Sequence, residues 1–193
     1  MKHSTSFRHI GASAHTEKDR NKFDYYATDP RAIDDLFNRE SFSNKIWEPA
    51  CGEGHLSKRI SELNPDTGIY SSDIVDRGFG DVRDFLSIDN MDWQGDIITN
   101  PPYKYSQDFI EKSLRIIPKE NKVAMFLKIQ FLEGKRRKQF FLMHPPKNIY
   151  VYSFRINCAM NGDFVKYSKN CAICYAWYVW EKGNKDKPTL DWI

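Results

Sequence analysis

Short apolar runs alternate with amphipathic stretches along most of this chain, and this alternation constrains its fold more than any other feature. The apolar runs are typical of buried β-strands, whereas the stretches between them place apolar residues three or four positions apart, as on one face of a helix. Parallel strands need long crossover connections, which are usually helices. The pattern therefore predicts an α/β domain with a mostly parallel central sheet and helices on both faces.

The same pattern gives the approximate bounds of the elements. Strands are predicted at residues 45–47, 68–72, 96–99, 122–127, 148–152 and 171–180, with a short one near 82–85. Helices are predicted at residues 30–38, 55–63 and 107–117, and Thr28 and Asp29 are candidate caps for the first of them. A polar tail follows the aromatic-rich last strand. We expect that strand to close the sheet as a C-terminal antiparallel hairpin with strand 148–152 or one of its neighbours.

The length and composition suit one globular domain. The 193 residues are 40% hydrophobic and 28% charged, which is enough for a sizeable core. Residues 1–22 are polar and lack apolar periodicity, so we expect a flexible N-terminal arm before a single domain at residues 23–193. No apolar run approaches the ~20 residues that span a bilayer, and the N-terminus lacks the apolar centre of a secretory signal. A cytoplasmic protein without a membrane partner is predicted.

The cysteines show no disulfide pattern. Cys171 and Cys174 have the spacing of half a zinc site, but they lie in an apolar strand-like run without a second matching pair, and only Cys158 is nearby. Free thiols are therefore predicted for these three residues and for Cys51, and no metal site is predicted.

Positive charge is concentrated in one part of the chain. The net charge is +3, yet residues 104–147 contain eleven Lys and Arg against four Asp and Glu, an excess of +7, so the remainder carries 3 − 7 = −4. Such a region suits contact with the phosphates of a nucleic acid. The alternative is an exposed, solvated helix face.

The tetrapeptide Asn100-Pro101-Pro102-Tyr103 directly follows the predicted strand at 96–99. The Asn100 side-chain oxygen and the Pro101 carbonyl, in a turn that proline makes rigid, offer two acceptors to a planar NH2 group. The ring of Tyr103 is placed to lie over a flat substrate. These residue types favour a pocket for the amine of a base.

A second motif, Glu48-Pro49-Ala50-Cys51-Gly52-Glu53-Gly54, occupies the first predicted strand-to-helix turn, where the backbone approaches a nucleotide-like cofactor closely. It lacks the Lys-Ser/Thr ending of a phosphate-binding loop, and its acidic residues suit a cationic ligand such as S-adenosylmethionine. Asp73 ends the next strand, 25 residues after Glu48, at the spacing where a carboxylate accepts hydrogen bonds from ribose hydroxyls.

In these motifs and their order the chain resembles the DNA amino-methyltransferases, which act on adenine N6 or cytosine N4. The resemblance runs from about residue 25 to residue 180 and implies a Rossmann-like S-adenosylmethionine-dependent methyltransferase fold. Residues 48–54 are similar to the family's cofactor loop, 72–74 to its ribose motif, 84–86 to the segment beside the cofactor adenine and 100–103 to its catalytic motif. Residues 25–30 resemble the segment that closes over the methionine end of the cofactor. The compact size is similar to that of phage- and prophage-encoded adenine methyltransferases.

The resemblance implies roles for individual residues. The implied cofactor-binding residues are Tyr26, Thr28, Glu48, Pro49, Ala50, Cys51, Gly52, Asp73, Ile74, Asp84, Phe85 and Asn100. The implied catalytic residues are Asn100, Pro101, Pro102 and Tyr103, which would methylate adenine N6 by direct transfer to a flipped-out base. Cytosine N4 is disfavoured because that group more often has Ser in place of Asn100.

On the substrate side, Tyr103 is expected to stack on the extruded base. Phe154 occupies the place of a second aromatic residue of the family, and a packing role is an equal alternative for it. Candidate phosphate contacts are Lys104 and Lys128, close to the motif, and Lys135, Arg136 and Arg137, which otherwise form an exposed helix start.

Specificity is the open question at this level. Many family members carry a separate target-recognition domain, whereas this chain has only short loops for that role, such as residues 157–169. We expect DNA as the partner, read through loops, through a homodimer, through a recognition partner or with little specificity. The same tetrapeptide occurs in enzymes that resemble protein-glutamine and RNA guanine-N2 methyltransferases. A non-catalytic nucleic-acid-binding subunit of the same fold is a further alternative.

Overall fold

The computed structural model describes residues 25–89, 91–160, 162–165 and 173–193. The predicted N-terminal arm at 1–22, Cys171 and part of the loop at 157–169 lie outside the described residues. In the described part the strands are β1 (Tyr26–Thr28), β2 (Lys45–Glu48), β3 (Gly68–Asp73), β4 (Asp81–Val82), β5 (Asp96–Thr99), β6 (Lys122–Lys128), β7 (Asn148–Val151), β8 (Cys158–Met160), β9 (Tyr175–Glu181) and β10 (Thr189–Trp192). The α-helices are α1 (Arg31–Phe37), α2 (His55–Leu63), α3 (Ser106–Ile116) and α4 (Lys135–Met143). None of these helices is long and apolar enough to cross a membrane.

Eight of the strands form one sheet in the order β10-β7-β9-β6-β5-β2-β3-β4. Neighbouring strands from β4 to β6 are parallel, whereas β9 is antiparallel to both β6 and β7. The predicted mostly parallel sheet with an antiparallel closing strand is therefore confirmed, with β9 inserted between β6 and β7. The polar tail, for which the sequence predicts no element, adds the edge strand β10 parallel to β7.

Two local predictions differ from the structure. The strand predicted near 82–85 is only the two residues of β4, because Asp84 accepts a hydrogen bond from Leu86 N at 3.0 Å and caps a 3-10 turn at Phe85–Ser87. Thr28 does not cap α1. Instead, Asp29 Oδ1 accepts a hydrogen bond from Arg31 N at 3.0 Å, and the helix starts after Pro30.

Alternation along the central strands places two apolar layers on the two faces of the sheet. On one face Trp47, Ile97, Val123 and Met125 pack with Phe109 and Ile110 of α3 and Phe140 of α4. On the other face Ile46, Ile98, Ala124 and Phe126 pack with Ile33 and Leu36 of α1 and Leu56 and Ile60 of α2. The predicted helices on both faces are thus confirmed.

A separate two-stranded ribbon joins the beginning of the described chain to the region after β7. Strand β1 pairs antiparallel with β8, and Thr28 lies opposite Cys158. The hydrogen bond from Asp29 N to Asn157 O, 3.0 Å, extends this pairing by one residue. The ribbon holds residues 26–28 beside the end of β5, where the tetrapeptide begins.

A buried carboxylate in the segment after α1 contacts residues of β6 and β7. Glu40 is 8% exposed, and it accepts hydrogen bonds from Lys122 Nζ at 2.7 Å, Tyr150 Oη at 2.7 Å and Asn148 Nδ2 at 2.5 Å. Burial opposes the ionisation of Glu40, but the three donors outweigh it and lower its pKa. The ionised Glu40 therefore stabilises the fold above its unfolded pKa, and this contribution is lost as the pH falls through the lower folded pKa.

Replacing Glu40 with Ala is expected to lower the free energy of unfolding by about 3 kcal/mol, because Lys122 and two polar groups lose their partner. Urea unfolding at neutral pH measures this loss. The control is Glu62→Ala, since the Glu62 side chain is 63% exposed in its ion pair with Arg59 and such pairs contribute less than about 1 kcal/mol. Equal losses of unfolding free energy in the two variants would contradict the stabilising role of the buried Glu40 carboxylate.

Candidate active site

A narrow cleft with a volume of only about 20 Å³ lies at the carboxyl ends of β2 and β5, beneath the β1–β8 ribbon. This is the edge of an open α/β sheet at which ligands bind. The cleft brings together seven of the predicted cofactor residues, Tyr26, Thr28, Glu48, Ala50, Cys51, Gly52 and Asn100. Four other residues complete its lining, namely Tyr25, Ala27, His55 and Leu56.

Asn100 presents a free acceptor at this cleft. Its Nδ2 donates to the Tyr26 carbonyl at 3.1 Å and to Thr28 Oγ1 at 2.9 Å. A backbone carbonyl only accepts hydrogen bonds, so the network assigns nitrogen to that side of the amide and oxygen to the other. Asn100 Oδ1 is buried and has no hydrogen-bond partner among the described residues. A buried unsatisfied acceptor is costly, and a ligand N–H would satisfy it.

The rest of the tetrapeptide fixes Asn100 between two rigid elements. Pro101 is buried at the end of β5, and Pro102 leads into a 3-10 turn at Tyr103–Tyr105 that continues into α3. The Pro102 carbonyl accepts a hydrogen bond from Tyr105 N at 2.8 Å. Asn100 is therefore followed by a buried proline and by a hydrogen-bonded turn that leads into α3.

The glycine turn is anchored to β3. Cys51 N donates to the Ser72 carbonyl at 3.0 Å, and Gly52 N donates to Asp73 Oδ2 at 2.8 Å. The other oxygen of Asp73 accepts from Val75 N at 3.0 Å. Asp73 therefore braces the glycine turn, and its contact with a ribose stays a prediction. Burial raises the pKa of the Cys51 thiol to about 12, aided by the nearby Glu48 and Asp73 carboxylates, so Cys51 stays protonated at neutral pH.

Glu48 supplies a buried carboxyl group to the cleft. Its Oε2 accepts hydrogen bonds from Ser57 N at 2.9 Å and from Ser57 Oγ, both at the start of α2. Burial raises the pKa of Glu48 to about 8; the Ser57 hydrogen bonds oppose this shift, and the Asp73 charge adds to it. Burial therefore favours the protonated form of Glu48 in the free cleft.

Aromatic rings cover both glycines of the turn. Gly52 has φ +55°, and a Cβ added there would lie 2.8 Å from Cε2 of Tyr25, while a Cβ on Gly54 would collide with the ring of Phe79. Cations stack on both rings: the Arg77 guanidinium lies 4.2 Å from the centroid of Tyr25, and Lys58 Nζ lies 4.9 Å from that of Phe79. Phe79 and Arg77 are not among the residues predicted for the site; Gly54 faces the Phe79 ring, and Gly52 faces the Tyr25 ring on which Arg77 stacks.

Replacing Gly52 with Ala is expected to weaken cofactor binding at least tenfold. The added methyl group would press on Tyr25 and enter the cleft, and the positive φ would add about 1–2 kcal/mol of backbone strain. Gly78→Ala is a matched control, because Gly78 also has a positive φ, +76°, but its Cβ would meet nothing within 4 Å. Calorimetric titration with S-adenosylmethionine and thermal unfolding separate the two effects. A similar loss of affinity in both variants would attribute the effect to strain alone.

The remaining predicted cofactor residues differ in their exposure and in their contacts. Ile74 is 63% exposed at the end of β3, where its apolar side chain is available to a planar ring. Asp84 is engaged in capping its own turn. Phe85 does not face the cleft: it is buried in the core, with its ring centroid 5.1 Å from that of Trp47. Pro49 is also buried, between β2 and the turn.

Tyr103 is half-buried, and two side chains, Tyr175 and Lys128, lie near its ring. Its ring centroid lies 6.3 Å from that of Tyr175, and Lys128 Nζ lies 4.5 Å from the Tyr103 centroid. Burial holds the pKa of the Tyr103 hydroxyl well above its usual value, so the side chain is neutral. A base stacked on the Lys128 side of this ring would require the flexible lysine to move.

Some of the predicted basic residues are exposed, whereas Arg137 has a structural role. Lys104, Lys135 and Arg136 are exposed, and α4 starts just after β6 ends, so Lys135 and Arg136 lie at the same edge of the sheet as the cleft. Arg137 differs from the prediction, because its Nη1 donates to the carbonyls of Gln130, Phe131 and Glu133. Its guanidinium therefore stabilises the turn before α4 and is not a free phosphate contact.

Phe154 follows β7 and is 49% exposed, with its ring edge-on to Tyr152 at 5.3 Å between centroids. The exposure is consistent with either predicted role. Cys51, Cys158 and Cys174 are not in disulfide bonds in the described part of the chain, as predicted for these three residues.

Comparison with known proteins shows similarity at the level of the fold. No protein-family model and no curated protein sequence matches the chain. A protein assigned as the modification subunit of a type I restriction enzyme from Vibrio vulnificus superposes with a TM-score of 0.59 at 12% identity, over 85% of this chain and 45% of that one. A protein assigned as a class I S-adenosylmethionine-dependent methyltransferase from Listeria monocytogenes gives 0.55 at 16% identity, over 84% and 62%. The M protein of the type I restriction enzyme EcoKI gives 0.54 at 13% identity, over 81% and 44%.

These similarities confirm the predicted fold class. The chain has the Rossmann-like α/β fold of S-adenosylmethionine-dependent methyltransferases. It spans between 44% and 62% of the length of these three structures.

Proposed function

We propose that this protein transfers a methyl group from S-adenosylmethionine to the exocyclic N6 amine of adenine in DNA. The observation that carries the proposal is the buried acceptor Asn100 Oδ1 at the end of β5, which has no hydrogen-bond partner in the part of the chain that the structure describes. Asn100 lines the same cleft as the glycine turn. Both hydrogens of the Asn100 amide are directed elsewhere. The group best suited to this acceptor is therefore an N–H donor, such as a planar amine.

The residues of the cleft fit the proposed cofactor. Glu48 offers a carboxyl group that ionises beside a cation, and Gly52 and Ala50 leave the turn without bulky side chains. Asp73 and the exposed Ile74 lie at the end of β3, where they would hold the ribose and one face of the adenine ring. When bound, S-adenosylmethionine supplies an electrophilic methyl group on a sulfonium.

Asn100 and the Pro101 carbonyl would prepare the amine for attack. The lone pair of an exocyclic adenine amine is delocalised into the ring, which makes the nitrogen a poor nucleophile. Accepting its two N–H bonds directs the nitrogen toward tetrahedral geometry and aims the lone pair, and positioning supplies much of the acceleration. After transfer the alkylated nitrogen is strongly acidic and loses its proton to water, so no strong general base is required.

The exposed positive charge and the similarity to subunits of restriction enzymes support DNA as the substrate. Lys104, Lys135 and Arg136 place exposed positive charge at the cleft edge of the sheet, where backbone phosphates would be bound. Two structures with this fold are named as modification or M subunits of type I restriction enzymes. A duplex adenine has to leave the stack to reach a cleft of this kind, so base flipping is part of the proposal. Tyr103 is the proposed stacking partner.

The test is incubation with methyl-labelled S-adenosylmethionine and unmethylated plasmid DNA, followed by nucleoside digestion and mass spectrometry. Labelled N6-methyladenine in the wild type and none in Asn100→Ala is the expected result. Label on cytosine would refute the choice of base. No label on DNA, when calorimetry shows that the cofactor binds, would refute the DNA assignment and direct the assay to RNA or a glutamine-bearing protein.

A further inference from the structure

We infer that Thr28 is a positioning residue, whose hydroxyl holds the Asn100 amide in the orientation that the Tyr26 carbonyl selects. This inference rests on the proposed function and deepens it. It also changes the role expected for Thr28, since the resemblance to the methyltransferases implies a direct contact with the cofactor.

An asparagine amide has two orientations of similar shape, with oxygen and nitrogen exchanged. Only one of them points Oδ1 toward a substrate amine. Here the Tyr26 carbonyl and Thr28 Oγ1 both face Nδ2, at 3.1 Å and 2.9 Å. In the other orientation Oδ1 would face the Tyr26 carbonyl, and two acceptors would repel each other.

Burial and strand pairing hold Thr28 in its contact with the Asn100 amide. It is 2% exposed, and it lies in β1 opposite Cys158 in the ribbon with β8. The adjacent hydrogen bond from Asp29 N to Asn157 O keeps the strand in register. The orientation of the Asn100 side chain thus depends on a segment 72 residues earlier in the chain. That segment is held in place by its pairing with β8.

The Thr28 oxygen accepts this hydrogen bond, and a positioning role differs from cofactor binding in the quantity that a change at Thr28 affects. A positioning residue affects the rate of transfer and leaves cofactor affinity unchanged, whereas a cofactor ligand affects affinity first. The two roles therefore predict opposite patterns in one variant.

The test is Thr28→Val, which keeps the shape of the side chain and removes the acceptor. We expect the single-turnover rate of methyl transfer to fall about tenfold, as for the loss of one buried hydrogen bond, with the dissociation constant of S-adenosylmethionine within twofold of wild type. Thr28→Ser retains the hydroxyl and should restore the rate to within threefold. Thr99→Val is the matched control, because Thr99 adjoins Asn100 and is fully buried, and its hydroxyl has no partner among the described residues.

A second readout does not depend on the substrate. The side-chain NH2 signal of Asn100, assigned by its disappearance in Asn100→Asp, should shift and exchange faster in Thr28→Val but not in Thr99→Val. An unchanged Asn100 signal in Thr28→Val would overturn the inference, as would a weakened cofactor affinity at an unchanged rate. If the wild type methylates no DNA, the proposed function fails, yet the NMR comparison still decides the role of Thr28.

Discussion

Asn100→Ala is expected to lower the rate of methyl transfer about a thousandfold while cofactor affinity changes by no more than a few-fold. The substitution removes Oδ1, a buried acceptor with no hydrogen-bond partner among the described residues, and the loss of one preorganised polar contact in an active site typically costs two to three orders of magnitude. The glycine turn, Glu48 and Asp73 keep their own hydrogen bonds, so the cofactor site remains. Single-turnover kinetics and calorimetric titration measure the two quantities.

Two further variants make this result specific. Asn38→Ala changes an exposed Asn at the end of α1, and its activity should match wild type. Asn100→Asp keeps an acceptor toward the substrate but turns a second oxygen toward the Tyr26 carbonyl, so it should be nearly as inactive as Asn100→Ala. A fully active Asn100→Ala would remove the basis of the proposed chemistry. An active Asn100→Asp would show that the amide nitrogen has no orienting role.

Elements with a strong local signal could be predicted from the sequence. The bounds predicted for α2 match His55–Leu63, because Leu56 and Ile60 mark one buried face and Gly54 precedes the helix in a left-handed conformation. Strand β5 is also predicted at its observed bounds, since it is a short, fully buried apolar run. The tetrapeptide follows it directly, so the approximate place of the site was predictable as well.

Contacts between distant segments could not be predicted in this way. Strands β1 and β8 are three residues each and become strands by pairing with each other across more than a hundred residues. The contact between Thr28 and Asn100 depends on that pairing. Arg137 has the same charge as its neighbours and cannot be distinguished from them in the sequence. In the folded chain, three backbone carbonyls accept hydrogen bonds from its guanidinium. Phe85 is another example, because it is buried against Trp47, which lies in β2, much earlier in the chain.

The second large effect is expected from Glu48→Gln, which should weaken cofactor binding at least tenfold and yet stabilise the free protein at alkaline pH. Glutamine resembles the protonated acid in shape and still offers an oxygen to Ser57, but it cannot become an anion beside a cationic ligand. Because the folded pKa of Glu48 is raised to about 8, its contribution to stability is complete below the unfolded pKa, near 4.5. That contribution is lost as the pH rises through about 8.

The variant has no such titration, so its advantage over wild type should grow between pH 5 and pH 8, by up to about 1.4 kcal/mol per pH unit. Urea unfolding of both proteins at pH 5, 7 and 9 measures this difference, and Glu62→Gln is the exposed control, with no such growth expected. Parallel pH profiles for wild type and Glu48→Gln would mean that Glu48 is already ionised at neutral pH. In that case the carboxylate would be a permanent anion of the free cleft, and the weakened cofactor binding of the variant would reflect loss of a standing charge instead of loss of a proton on binding.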